Sequence, residues 1–404
     1  MKPIKQGELM TSRAATLLRE PENPGRATFL ELFFDLVFVF ALFRLSQKLL
    51  ERLDWNGALH TLVLLLALMS LWGNTAWVAD RFVLDRTAIQ ALVIGCMFGS
   101  FVLAAAAPEA FGARGLVFAV AYVASQVGRS LFLVVITRGH ERQRFELRQL
   151  LWFGVSALPW LAGAVAHGWA RVVVWAVAAT VDWTAFGFGR PMPGVGRVKP
   201  AELKVSGEFM AERHRQFFII ALGELILASG LAFDSLGFGA VHSAAVVVAF
   251  AIAVLLWRIY IHRAGRVLGA AVAAASNQSR VMVAQIYAHL VMVAGVVAIT
   301  VGSELVITHG SGDNEPAWIL VTLGGPALFL AGRAILEYAV FNRVSRDRVI
   351  GVLVLAAISP AMILVPPLIV AIAAAVVLAG VAVADSAVSW RRPVEPPSPP
   401  GGPS

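Results

Sequence analysis

The chain has 404 residues, of which 58% are hydrophobic and 14% charged, and its formal net charge is +8 at pH 7. Soluble globular proteins are closer to half apolar and a quarter charged, so this composition excludes an ordinary soluble domain and predicts a polytopic membrane protein. The positive charges are distributed between hydrophobic segments, so no nucleic-acid partner is predicted. The single cysteine excludes an intramolecular disulfide.

Twelve segments have the length of a membrane-spanning helix, which needs about 20 predominantly apolar residues. Their long runs of Val, Ala and Leu lack the alternation of barrel strands, which favours helices. In chain order, the predicted spans are residues 28–47, 57–79, 88–107, 113–137, 149–167, 170–189, 215–233, 238–261, 281–308, 317–340, 349–365 and 367–388. The last two are separated at Pro366 and Pro367. The predicted fold class is an all-α polytopic membrane protein with about 12 transmembrane helices.

Lysine and arginine are concentrated in alternate connections between these spans. Because such residues are enriched in cytoplasmic loops, both termini are predicted to be cytoplasmic. The predicted organisation is a cytoplasmic N-terminal segment (1–27), a first six-helix half (28–189), a cytoplasmic linker (190–214), a second six-helix half (215–388) and a cytoplasmic tail (389–404). The tail is rich in Pro, Gly and Ser and is predicted to be disordered.

Short landmarks recur in the same order in the two halves. A Phe-Phe pair that ends at Phe34 opens the first span, and one that ends at Phe218 opens the seventh. A Gly-Arg pair contains Arg129 in the fourth span and Arg333 in the tenth. The halves are therefore predicted to be parallel six-helix repeats, an arrangement found in transporters.

Charged residues are predicted at comparable depths within the two halves: Asp35, Arg129 and Asp182 in the first, and Glu224, Arg333 and Asp385 in the second. Asp35, for example, lies roughly 10 Å along its helix at a rise of 1.5 Å per residue. Ionisable groups inside membrane helices are costly and mark ion or substrate pathways. One interpretation is that these residues line such a pathway, in which the carboxylates bind a cation or a proton. The alternative is that Asp35 with Arg129, and Glu224 with Arg333, form structural ion pairs.

Three further residues lie beside these charges. Glu31 precedes Asp35 by one helical turn and is expected to cap or orient its helix near the interface. Gly223 is expected to allow a close helix approach beside Glu224. His214, at the cytoplasmic start of the seventh span, is either a solvated interfacial side chain or a proton carrier.

Three stretches, ELFFDLVFVFAL (31–42), ERHRQFFIIALGE (212–224) and GVVAITVGSELVITH (295–309), together resemble the bacterial low temperature requirement protein A (LtrA) family. The resemblance covers essentially the whole chain. It implies a polytopic membrane protein that is linked by name to growth in the cold, and it implies no substrate. The motif positions that it implies are Glu31, Phe34, Asp35, Glu212, Arg213, His214, Gly223 and Glu224. Arg215 departs from the glycine that family members tend to have after the histidine.

The predicted function is that of a secondary transporter or ion-translocating protein of the bacterial cytoplasmic membrane, acting on a small solute or ion through the buried carboxylates. No ATP-binding signature is present, so an ion gradient would supply the coupling. The alternatives are a membrane-embedded enzyme or sensor and a stress-adaptation protein without transport activity.

No cofactor and no metal is predicted, because the eight histidines have no ligand spacing and the sequence has no HExxH pair. No motif predicts an enzymatic activity. The expected partners are the lipid bilayer, the small solute or ion, and a second copy of the chain.

Overall fold

The structure is a computed structural model. It describes residues 16–19, 28–192, 207–262 and 278–391, together with residues 268, 270, 271 and 275. These ranges are helical and contain no strand, and an isolated antiparallel bridge joins Leu18 to Phe82. The predicted all-α class is confirmed for the part of the chain that the structure describes.

Twelve α-helices have their bounds within the described ranges. They are α1 (Phe29–Leu50), α2 (Trp55–Arg81), α3 (Thr87–Ala106), α4 (Gly115–Ile136), α5 (Gln143–Val165), α6 (Trp169–Gly187), α7 (Gly207–Leu236), α8 (Ala240–Ile261), α9 (Gln278–His309), α10 (Pro316–Phe341), α11 (Arg346–Ile358) and α12 (Pro367–Arg391). Short 3₁₀ turns follow α3 and α11. Each helix coincides with one predicted apolar segment.

The helix ends differ from the predicted spans where the ends are polar. Helix α7 begins at Gly207, inside the segment predicted to be the linker, and α12 continues to Arg391, inside the predicted tail. Hydropathy detects only the apolar part of a helix, whereas the backbone hydrogen bonds continue through polar residues. The predicted break before Pro367 is confirmed, because α12 begins at this residue, where proline loses no helical hydrogen bond.

Nine helices of the described ranges are long and apolar enough to cross a membrane: α2, α3, α4 and α7 to α12, with the turns after α3 and α11 included in their spans. The chain is therefore a polytopic helical membrane protein. Helices α1, α5 and α6 are not among the nine, so crossing by these three stays a prediction. Residues 1–15, 20–27, 193–206 and 392–404 lie outside the described residues. They hold most of the predicted N-terminal segment, linker and tail.

The chain forms two compact units. The first comprises Met1–Arg44 and His60–Met210, and the second comprises Leu45–Leu59 and Ala211–Ser404. The last turns of α1 thus belong to the second unit, together with α8 to α12 and nearly all of α7. This placement brings polar side chains of α1 to the carboxylates of α7 and α9.

The first unit has an aromatic core between α4, α5 and α6. Tyr122 of α4 and Trp175 of α6 pack on Trp160 of α5, with ring centroids 4.6 and 5.5 Å from its own. Phe118 lies 5.3 Å from Trp175. Aromatic pairs at such distances add about 0.5–1.5 kcal/mol each beyond the area that they bury. This core holds the polar side chains of the same helices in fixed positions.

In the second unit, glycines allow the backbones of α9 and α10 to touch. A Cβ atom on Gly325 would lie 2.8 Å from the backbone nitrogen of Ile299, and one on Gly332 would lie 2.8 Å from that of Met292. Apolar side chains gain little from leaving lipid, so membrane helices associate through such close backbone packing. The neighbouring Gly324 faces away from this seam, because a Cβ there would meet only Leu320 at 3.9 Å.

We expect Gly325→Ala to destabilise the protein by about 1–3 kcal/mol, because its methyl group would push α9 and α10 apart. The measurement is the thermal midpoint of the purified protein in detergent. Gly324→Ala is the matched control one residue away, and it should leave the midpoint unchanged or raise it, since alanine is the better helix former. Equal midpoints for the two variants would contradict the proposed role of the seam.

Candidate functional site

Glu31 caps helix α1. Its Oε2 atom accepts hydrogen bonds from the backbone nitrogen of Thr28 at 2.7 Å and from the hydroxyl of Thr28 at 3.0 Å. The hydroxyl of Thr28 in turn faces the backbone nitrogen of Glu31 at 3.4 Å. A threonine followed by a glutamate three residues later is a capping box, in which each side chain satisfies a free backbone donor of the other. The predicted capping role of Glu31 is confirmed.

Asp35 is completely buried in the first unit, and Trp72 of α2 contacts it. The indole nitrogen of Trp72 donates a hydrogen bond to Oδ1 of Asp35 at 2.9 Å. The preceding residue, Phe34, is also buried and packs on Phe38 with ring centroids 5.2 Å apart. One face of the first motif therefore lies in the interior of the first unit.

Arg129 has other contacts than the predicted partner Asp35. Its guanidinium lies 5.4 Å from the ring centre of Phe153 in α5, and Glu146 is the acid whose charge acts on it. The guanidinium of Arg190 lies against the same ring, at 5.3 Å. The predicted ion pair between Asp35 and Arg129 is wrong, because α5 lies beside Arg129 with a ring and a carboxylate of its own.

Asp182 accepts hydrogen bonds from uncharged donors of the aromatic core. The hydroxyl of Tyr122 donates to Oδ2 of Asp182 at 2.7 Å, and the indole nitrogen of Trp160 donates to the same atom at 3.1 Å. The carboxylate is buried, as predicted from its position in an apolar segment. The two aromatic donors were not predicted, because they lie far from Asp182 along the chain and no sequence pattern links them to it.

Glu224 is completely buried in the second unit, where hydroxyl groups of two other helices reach its two oxygens. Ser46 of α1 donates a hydrogen bond to Oε1 at 2.9 Å. Thr300 of α9 donates to Oε2 at 2.8 Å. Among the residues that the structure describes, no lysine, arginine or histidine makes an ion pair with Glu224. A fully buried acid held only by neutral donors is the most unusual group in this unit.

A second carboxylate, Glu304, lies one turn beyond Thr300 on α9. The side-chain amide of Gln47 in α1 donates a hydrogen bond to its Oε2 atom at 3.0 Å. Its charge acts unfavourably on that of Glu224. Two carboxylates, two hydroxyls and one amide thus form a polar cluster of Ser46, Gln47, Glu224, Thr300 and Glu304, which we call the Glu224 cluster.

Arg333 does not belong to the Glu224 cluster. Its guanidinium is completely buried and donates to the backbone carbonyls of Ile259, at 3.2 Å, and of His262. The predicted ion pair between Glu224 and Arg333 is therefore wrong. The carbonyls at the end of α8 have no helical partner, and they accept hydrogen bonds from the arginine in place of a carboxylate.

Asp385 of α12 pairs with Arg348, which lies near the start of α11. The guanidinium donates from Nη1 to Oδ1 of Asp385 at 2.8 Å, and both side chains are buried. The imidazole of His262 lies 3.9 Å from the same oxygen. Burial lowers the pKa of His262 to about 4, so this imidazole is neutral at physiological pH. Arg348 lies in a connection predicted to be cytoplasmic, and its burial was not predicted.

The start of α7 contains the second motif. Glu212 accepts a hydrogen bond from Arg215 at 2.5 Å, so the arginine that departs from the family pattern pairs with the motif glutamate. Arg213 is buried and donates to Gln216 at 3.1 Å. Both contacts lie within one turn of the helix, and they fix the polar end of α7.

His214 is buried rather than solvated, so the solvated alternative is wrong. Its Nδ1 atom lies 3.1 Å from the side-chain amide of Gln285, and its ring centre lies 4.6 Å from that of His289. The predicted close helix approach at Gly223 is also wrong. A Cβ atom there would meet nothing within 4 Å.

A family comparison agrees with these positions. The model of the family described as "Bacterial low temperature requirement A protein (LtrA)" matches residues 26–383, which include both motifs and the Glu224 cluster. The chain belongs to the LtrA family. This LtrA protein is also similar to Uncharacterized protein RA0937 of Rhizobium meliloti (strain 1021), with 35% identity over 331 residues, which cover 81% of each chain. No solved structure matches it.

We expect Trp72→Phe to lower the free energy of unfolding by about 1–3 kcal/mol, because Asp35 loses a buried hydrogen-bond donor. Thermal midpoints in detergent provide the measurement. The control is Trp257→Phe in α8, where the side chain is 45% exposed rather than 1%. A similar loss of stability in both variants would show that the indole of Trp72 stabilises the protein through its volume and not through its hydrogen bond to Asp35.

Proposed function

We propose that this LtrA protein is a proton-coupled secondary transporter of the bacterial cytoplasmic membrane, in which Glu224 binds and releases the coupling proton. The observation that supports the proposal is the complete burial of Glu224 among neutral donors. An ionised carboxylate in a low-dielectric interior is expensive without a cation beside it. Holding a proton removes that cost, and intramembrane acids in pumps and transporters form such proton relays.

Thr300 allows Glu224 to hold its proton without losing hydrogen bonds. The threonine hydroxyl lies 2.8 Å from Oε2 of Glu224 and 3.1 Å from the backbone carbonyl of Val296. When Glu224 is ionised, the hydroxyl donates to the carboxylate. When Glu224 is protonated, the hydroxyl rotates, donates to the carbonyl and accepts the proton of the acid, because a hydroxyl is both donor and acceptor. The site therefore accommodates both protonation states with one backbone geometry.

Glu304 provides a second acceptor near the first. Its side chain is only partly buried, and its amide partner Gln47 carries no charge. Repulsion between two neighbouring carboxylates favours a state in which the pair shares a proton. A proton can therefore pass between the buried Glu224 and the more accessible Glu304. Exchange of this kind is the step that couples a proton gradient to the movement of a solute.

The experiment measures proton flux into liposomes that contain the purified protein and a trapped pH-sensitive dye, under a potassium diffusion potential. The wild type should admit protons. Glu224→Gln should reduce the flux to that of empty vesicles, because its neutral amide keeps the shape but binds no proton. The amide can accept from one of the two hydroxyls and donate to the other. The matched control is Glu51→Gln, at an exposed glutamate just after α1, which should behave as the wild type.

Thr300 variants test the hydroxyl relay separately. Thr300→Val removes the hydroxyl at nearly constant volume and should slow the flux, whereas Thr300→Ser keeps the hydroxyl and should retain it. Wild-type flux equal to that of empty vesicles, or undiminished flux in Glu224→Gln, would contradict the proposal.

We also propose that all twelve described helices cross the membrane, with both termini in the cytoplasm and the two halves related as parallel repeats. The distribution of arginine and lysine between alternate connections supports this topology. It places the connection between α9 and α10 outside the cell, and that between α4 and α5 inside.

Cysteine labelling tests this topology, because Cys96 is the single native cysteine and Cys96→Ala gives a background without thiols. In that background, a membrane-impermeant maleimide should label Asp313→Cys in intact cells. It should label Glu141→Cys only after the membrane is permeabilised. Both positions are exposed in the structure. The reverse pattern would contradict the proposed orientation.

A further inference from the structure

We propose that the first unit binds a small monovalent anion of the halide class in a cavity between Arg81, Arg129 and Arg142. These residues lie at the end of α2, in the last turns of α4 and just before α5. The cavity is a feature of the first unit alone, so the proposal does not depend on proton transport at Glu224 in the second.

The size of the cavity suits a single small ion. Its volume is about 20 Å³, and its polar lining beside the three arginines comprises Asn74, Glu146 and Gln149. One water molecule occupies roughly 10–15 Å³ on the same measure, so there is room for one monatomic ion but not for phosphate or sulfate. On its other side, Arg129 borders an open apolar groove of about 810 Å³ between α3 and α4, which offers it no acceptor charge.

The three arginines carry hydrogen-bond donors that no protein atom satisfies. Arg129 is 4% exposed, and its Nη1 atom has no hydrogen-bond partner. The same holds for Nη2 of Arg81. Nε of Arg142 makes no hydrogen bond either, because Oε1 of Glu146, with which it forms an ion pair, lies 3.6 Å away. Burying a charged donor without an acceptor carries a free-energy cost. An anion in the cavity between them would remove that cost.

Aromatic rings hold the guanidinium groups in place and leave these donors free. The guanidinium of Arg81 lies 5.1 Å from the ring centre of Trp77, and that of Arg142 lies 5.6 Å from that of Phe145. Arg129 lies in the same way over Phe153. A ring contacts the face of a guanidinium, whereas its N–H groups point outward in the plane. The cluster therefore has fixed cations whose in-plane donors remain available to an anion.

The charges around the cavity require one more negative charge. Asp80 lies 3.0 Å from Nε of Arg81, and Glu146 lies 3.6 Å from Nε of Arg142. Three guanidinium groups and two carboxylates leave a net charge of +1. The charges of Arg190 and Glu141 also act on this cluster, but they are opposite in sign and leave that balance unchanged. A monovalent anion neutralises the cluster, whereas a water molecule satisfies donors without changing its charge. This balance distinguishes a halide from a buried water.

The binding experiment uses the purified full-length protein in lipid nanodiscs and radioactive chloride, with sodium gluconate holding the ionic strength constant. The wild type should bind one chloride per chain in a saturable manner, and bromide should compete while sulfate should not. Arg142→Gln should weaken binding about tenfold, the effect of losing one charge-assisted hydrogen bond. The control Arg144→Gln removes an exposed arginine from the same helix and should change nothing.

Glu146→Gln should have the opposite effect on the affinity for chloride. Because it removes a negative charge beside the cavity, it should tighten chloride binding several-fold even if it destabilises the helix bundle. An arginine cluster with only a structural role would lose stability in this variant and gain no chloride affinity. Gel filtration confirms that each variant is folded. Absence of saturable chloride binding in the wild type, or equal affinities in Glu146→Gln and Arg142→Gln, would overturn the proposal.

Discussion

The structure depends on the partners of charged side chains that are buried between helices. The outer surfaces of these helices face lipid. A charge in hydrocarbon has no water to compensate it, so each buried ion needs donors, acceptors or a counter-charge from the protein. Arg333 obtains backbone carbonyls at the end of α8, Asp385 obtains Arg348, and Arg129 obtains the face of Phe153. These three solutions differ, and each ties together helices that apolar contacts alone would hold weakly.

Asp182 and Glu224 are buried acids that receive hydrogen bonds from neutral donors instead. Asp182 receives a phenol and an indole from its aromatic core, and Glu224 receives two hydroxyls. An indole is only a donor, so Trp160 can stabilise the ionised carboxylate but cannot accept its proton. Hydroxyls both donate and accept. The phenol hydroxyl of Tyr122 also donates and accepts, but the charge of Arg190 acts on Asp182, whereas no cation of the described residues acts on Glu224. We therefore propose Glu224, rather than Asp182, as the proton carrier.

The seam between α9 and α10 supports the Glu224 cluster. Thr300 and Glu304 lie on α9, and the glycines that bring α10 against α9 contact its backbone at Met292 and Ile299, close to Thr300. Contact between the two backbones fixes the position of one helix along the other more tightly than contacts between long side chains do. The hydroxyl of Thr300 is thus held within hydrogen-bond distance of Glu224 by close contacts on a neighbouring face of its helix. Precise placement of a functional group requires such support.

The sequence alone determined the helical class, the order of the helices and the presence of charges within them, because hydropathy and helix length are local properties of the chain. The capping of α1 by Glu31 was also predictable, since Thr28 lies only three residues away. Partners were not. Asp35 and Glu224 were each assigned an arginine at similar depth, but depth does not say which faces of two helices meet. Only the tertiary structure decided that hydroxyls from α1 and α9 reach Glu224, that Arg129 faces α5, and that His214 is buried.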